Sequence, residues 1–278
     1  MLFRSREVLA QITVKMAQST EPLNAQNIGN GLYGLQRMSS DVREVREVLA
    51  QMRKKMAQST DPLNAQAIGN SLYGLRGHKL CSEWAPLLSR MLSMQFLSDR
   101  PAFEDVLCAL QSCELVSFDR QTPLYTSLAQ LQLTSELDTA KETLRGAFES
   151  GLAAKASSGP FRSDAEREYA KAITAFLSTL PFQTHVAFNT YLDCFEADAV
   201  VRFVSKKGGE TVVNIEIDGP HHTRFGSKRR FCALRDEYLE GTRSVKVIRV
   251  DLMSKAVQQA TPHAVVAKAL GPYFAAWR

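Results

Sequence analysis

Glu216, Asp218, His221 and His222 crowd the stretch Ile215-Glu216-Ile217-Asp218-Gly219-Pro220-His221-His222. It closes an apolar run, Thr211-Val212-Val213-Asn214-Ile215, whose β-branched residues predict a strand. A further carboxylate, Asp198, opens the neighbouring apolar run Ala199-Val200-Val201-Arg202-Phe203-Val204. Carboxylates on adjacent strand ends can hold a divalent ion over a phosphate, and a nearby histidine can assist proton transfer. The plain alternative is an ordinary half-solvated strand. Side chains alternate along a strand, so Glu216 and Asp218 share one face and Ile215 and Ile217 the other, with Gly219-Pro220 as a turn.

The elements needed to position these residues are legible around them. Ser163-Asp164-Ala165-Glu166 is a capping-box pattern and predicts a helix to about Leu177. Apolar runs near 184–190, 197–204 and 211–217 predict three strands, the last two joined by a hairpin turn at Lys206-Lys207-Gly208-Gly209-Glu210. A helix over about Lys228–Glu240 and a strand over Val245–Val250 complete the order α-β-β-β-α-β.

Glu-Ile-Asp-Gly-Pro-His-His, followed by Thr223-Arg224-Phe225 and a basic helix, resembles the RAP domain. That module is similar to the very-short-patch-repair type of the PD-(D/E)XK nuclease fold, and the likeness covers residues 161–278. It implies that Asp198 and Glu216 are metal ligands and that Glu166 is an accessory acid. Mg²⁺ or Mn²⁺ would serve if the domain is catalytic, and binding alone would need no cofactor. The chain departs from the nucleases at Asp218, which stands where they carry a Lys; His221, His222 or Lys206 would have to take over its task.

The N-terminal part repeats itself. Residues 6–35 match residues 46–75 at a constant offset of 40, with 24 identities in 30 positions. Such periods mean stacked supersecondary units, here two helical hairpins over residues 1–80. In the second copy, Asp41-Val42-Arg43-Glu44 reads as a capping box, and Val48, Leu49, Met52 and Met56 share one helical face. Asp61-Pro62 reads as N-cap and first helical residue of a second helix through Leu75. Gly69 and Gly74, matched by Gly29 and Gly34, predict close helix–helix approach, since each is otherwise unfavourable inside a helix by about 1 kcal/mol. Leu23-Asn24-Ala25-Gln26 through Leu35, and Leu63 through Leu75, resemble the second helix of octotricopeptide-type repeats, with Tyr33 and Tyr73 in place of the usual Trp. These are organellar RNA binders that often end in a RAP domain. The resemblance implies base readout by Asn24, Gln26, Asn27, Asn64 and Gln66; the alternative is that such residues cap helices. Residues 81–155 predict further helices (Glu83–Phe96, Ala102–Leu110, Thr122–Leu133 and Ser135–Phe148) of degenerate repeats or an adaptor, with a linker at Gly151–Pro160.

Net charge is +5 over residues 1–80, −4 over 81–160 and +4 over 161–278. Basic charge thus lies over the two regions assigned to RNA. Arg224, Lys228, Arg229, Arg230 and Arg235 form its densest cluster and are RNA-contact candidates. Five scattered cysteines without a C-x-x-C favour neither zinc nor a disulfide framework, and no apolar run is long enough to span a membrane. The expected fold is an α-helical repeat solenoid followed by a C-terminal α/β PD-(D/E)XK-like domain. Three functions compete. The first is binding of single-stranded organellar mRNA or rRNA in processing, stability or translation, with both domains in contact. The second is metal-dependent endonuclease activity through Asp198 and Glu216. The third is a scaffold holding protein partners on the repeats. Mitochondrion or chloroplast follows from the resemblance; the repeat starting at Arg6 leaves no targeting segment to read, as if the chain began mid-array.

Overall fold

The computed structural model describes residues 2–59, 62–99, 101–154, 164–204, 209–218, 223–224, 227–228, 230–252 and 254–275. The chain divides into a helical unit, Met1–Ala154, and a second unit, Lys155–Arg278, built on a four-stranded mixed sheet.

In the helical unit, α1 (Leu2–Gln18) and α2 (Ala25–Gly34) form the first hairpin, and α3 (Arg43–Gln58) and α4 (Ala65–Leu75) the second. Then come α5 (Ala85–Leu92), α6 (Phe103–Phe118), α7 (Pro123–Gln130) and α8 (Thr134–Ala154). Like packs on like: α1 lies against α3, α2 against α4, α4 against α6 and α6 against α8. Val48, Leu49, Met52 and Met56 are all buried, as their helical spacing predicts. The helix starts differ from expectation. Val42 is the N-cap of α3 and makes no side-chain cap bond, because Asp41 instead accepts from Ser39 Oγ at 3.0 Å. In α4, Asn64 is the cap and Pro62 lies ahead of the helix; Asp61 is outside the described residues. The predicted 83–96 helix is realised in its middle as α5, while its ends are 3₁₀ segments, Ser82–Trp84 and Gln95–Asp99, the second set off from α5 by Met94 at φ 52°. Helix α6 runs on past Leu110, and α8 extends into the expected linker.

The glycines explain how α2 and α4 come so close. A Cβ on Gly74 would stand 2.2 Å from the Leu32 carbonyl oxygen, so no other residue fits without moving the helices apart. Gly34, the equivalent position one repeat earlier, has nothing within 4 Å. Identical sequence therefore does different work in the two copies.

In the second unit, α9 (Asp164–Leu177) is followed by β1 (Thr184–Leu192), β2 (Phe195–Val204) and β3 (Glu210–Asp218). A short ribbon, β4 (Thr223–Arg224) and β5 (Ser227–Lys228), leads to α10 (Arg230–Arg243), β6 (Lys246–Asp251), α11 (Lys255–Gln258) and α12 (Pro262–Ala275). The sheet order is β1-β2-β3-β6, antiparallel except for the parallel β3–β6 pair. Ala199, Val201 and Phe203 of β2 and Val213, Ile215 and Ile217 of β3 turn one face of the sheet into a core with Tyr169 and Ile173 of α9 and Phe274 of α12. Alternation sends Asn214, Glu216 and Asp218 to the opposite face.

Gly74→Ala should lower the stability of the helical unit by about 1–3 kcal/mol through overpacking. Gly34→Ala should leave it unchanged or raise it by up to about 1 kcal/mol through helix propensity. Urea denaturation followed by far-UV circular dichroism separates the two.

Candidate functional site

Two sites emerge, one on each unit. The first is the face of the sheet carrying the acids. Val200 pairs with Asn214 and Ala199 with Ile215, so one further step sets Asp198 opposite Glu216, on the same face. Ile217 N–H donates to Asp198 Oδ2 at 2.6 Å. The carboxyl of Asp198 is pushed up to about 6, first by burial and then by the charge of Glu216. Glu166, in the first turn of α9, adds to the push. The charges of Glu216 and Glu166 thus both reach Asp198.

Glu216 is, however, already neutralised. It is 2% exposed, and its Oε2 accepts from Arg235 Nη2 at 2.8 Å while its Oε1 accepts from Asn214 Nδ2 at 2.9 Å. Each Glu216 oxygen already accepts from a donor, so a divalent ion there would compete with Arg235 for it. Among the described residues no group of three or more His, Cys, Asp or Glu is arranged to hold a metal. Asp218 pairs with Arg249. Asp236 bridges the two arginines: it accepts from Arg249 Nε and Nη2 at 2.8 and 2.9 Å and lies 3.3 Å from Arg235 Nη2. Burial works against both guanidinium charges, but their carboxylate partners outweigh it and the pKa of each is raised.

Arg235 is thus no surface RNA contact. It is 7% exposed and turned toward the sheet, because a buried Glu216 needs a cation more than solvent does. Lys228 does not share a helical face with it either, since Lys228 lies in the β5 ribbon and α10 starts at Arg230. For Arg224, Lys228 and Arg230 only the backbone is described; Arg229, His221 and His222 lie outside the described residues, as does Lys206.

The second site is the outer edge of α2 and α4. Asn24 and Asn64 cap these helices, their Oδ1 atoms each accepting a backbone N–H at 2.8 Å, from Asn27 and Ala67 respectively. The capping alternative holds for both; all five residues of the predicted set are exposed, and Gln26, Asn27 and Gln66 are the ones whose side chains do not cap a helix. Sequence reasoning passed over four residues beside them. Asn70 Nδ2 lies 3.4 Å from Asn30 Oδ1, and the Tyr33 and Tyr73 rings stack with centroids 5.8 Å apart. Positions 26, 30 and 33, spaced by about one helical turn, recur at 66, 70 and 73, so the repeat period sets Asn30 beside Asn70 and Tyr33 beside Tyr73, with Tyr33 exposed and Tyr73 buried. That 40-residue period was the available signal.

Replacing Arg235 by Met strands a buried carboxylate and should reduce stability by about 3–5 kcal/mol in chemical denaturation. For Asp198 the sign is opposite. Its folded pKa lies above its unfolded one, so the folded chain binds the proton more tightly and stability falls as pH rises from about 4 through 6. Asp198→Asn keeps an oxygen for Ile217 N–H; it should stabilise the unit by about 1–3 kcal/mol at pH 7 and lose that advantage near pH 4. Compared with protein-family models, with curated proteins and with solved structures, this chain matches none.

Proposed function

We propose that this chain binds single-stranded RNA in organellar RNA metabolism, through the matched side chains of α2 and α4 on its helical unit and the basic segment of its second unit. The observation that carries the reading is the register of Gln26, Asn30 and Tyr33 with Gln66, Asn70 and Tyr73. Amide side chains can read base edges, an exposed tyrosine offers a face for stacking, and a fixed spacing between equivalent groups suits a polymer of regular units. The second unit is read as a RAP domain on a nuclease-derived fold. That reading is supported by the order α9-β1-β2-β3-α10-β6 and by the Glu-Ile-Asp-Gly-Pro-His-His string. Transcript or rRNA maturation, stability or translation in a mitochondrion or chloroplast follows from that reading.

The nuclease alternative is favoured by the placement of Asp198 opposite Glu216 on one face of the sheet, with the charge of Glu166 also felt at Asp198. It is opposed by the guanidinium on Glu216, which a metal would have to displace at the expense of a buried ion pair.

Fluorescence anisotropy with short single-stranded RNA in EDTA tests the binding reading. Tyr33→Ala should weaken binding about tenfold or more, in keeping with about 1–3 kcal/mol per stacked base. Arg229→Ala with Arg230→Ala should lower affinity and flatten its salt dependence. Affinity and salt slope unmoved by either change would reject the proposed surfaces.

A further inference from the structure

The first repeat presents an end face that is the counterpart of a face the second repeat has already used. On α3, Val48 and Met52 are 4% and 3% exposed because the first hairpin lies over them. Their equivalents on α1, Val8 and Ile12, are 53% and 39% exposed. Gly74 of α4 receives the Leu32 carbonyl of α2, whereas Gly34 opens onto empty space. Lys55 Nζ donates to Ser19 O at 2.5 Å and Glu21 O at 2.9 Å, tying the second repeat to the end of α1; its equivalent, Lys15, is exposed. The same kind of link recurs one step on, where Arg90 Nη1 donates to Ser59 O, the equivalent of Ser19 O, at 2.9 Å. Between α1 and α2 lies an apolar groove of about 590 Å³, with Val8, Ile12, Met16 and Gly34 among its walls and Val48 and Met52 of α3 also lining it.

We infer that this groove is the seat of one further hairpin of the same 40-residue repeat, stacked in line with the two described. The apolar ridge, the open glycine and the free-standing lysine are three separate features, and each has a satisfied counterpart 40 residues on. Each also specifies the occupant: an apolar face on its first helix for Val8 and Ile12, a main-chain carbonyl of its second helix brought close to Gly34, and carbonyls at the end of its first helix for Lys15. A generic apolar peptide would satisfy the first feature only. Stacked units of this kind gain stability from each nearest-neighbour interface.

The test joins a copy of residues 1–40 ahead of residue 1 of the full chain, which preserves the period. The helical melt of the extended chain should move up by about 5 °C or more. Gly34→Leu should leave the melt of the original chain unchanged, because space is open there, yet abolish the gain in the extended chain. Lys15→Met should remove part of the gain. No rise, or a rise that survives Gly34→Leu, overturns the inference. So does self-association of the original chain that Gly34→Leu abolishes, since the occupant would then be a second copy. RNA affinity plays no part in these outcomes, so they stand or fall independently of the proposed function.

Discussion

The second unit is organised around one buried charge. Glu216 lies in the middle of the sheet, where an unpaired carboxylate would be strongly destabilising, and the Arg235 guanidinium answers it from α10. That pairing fixes which face of α10 meets the sheet. It draws Asp236 in beside Arg235, and Asp236 in turn holds Arg249 of β6, which also serves Asp218. Strand, helix and neighbouring strand are thereby locked by alternating charges on one face, while an apolar core seals the other. The same pairing bears on the chemistry: a divalent ion at Glu216 would have to compete with a guanidinium and an amide, while the Asp198 carboxyl beside it is pushed up to about 6 by burial and by the charge of Glu216.

The helical unit depends on a steric constraint. Glycines stand where α2 and α4 approach most closely, Gly29 against Ala67 and Gly74 against Leu32, and the contact of Gly74 with Leu32 sets the spacing between the two repeats. At that spacing side chains of the same type come edge to edge, which is why Asn30 and Asn70, and Tyr33 and Tyr73, form rungs. The surface proposed for RNA is thus a consequence of the interface beneath it.

Much of this was legible in the sequence, for reasons that differ by residue. Strands β1, β2 and β3 were readable because β-branched runs alternate or bury wholesale, and the hairpins because a 40-residue repeat cannot hide. The acids Asp198 and Glu216 were legible as residues of adjacent strands, but that they share a face required the β2–β3 register. Arg235 was misread because a basic run on a helix does not reveal which member turns inward; the need arises from Glu216, a residue distant in sequence. Asp236 and Arg249 were missed for the same reason. Asn24 and Asn64 show the limit of residue type alone, as an asparagine before a helix satisfies a backbone N–H first. For Asn30 and Asn70 the 40-residue period marked the equivalent positions, but that they touch depended on the distance between helices.

The most direct test of the account is a denaturing gel of end-labelled single-stranded RNA incubated with the protein in Mg²⁺, in Mn²⁺ and in EDTA, beside Asp198→Asn. With Glu216 held by Arg235, the RNA should remain intact in every lane and be retained by the protein on a native gel with EDTA present. Metal-dependent cleavage that disappears with Asp198→Asn would contradict it, and would mean that Arg235 yields its place to an ion when RNA arrives.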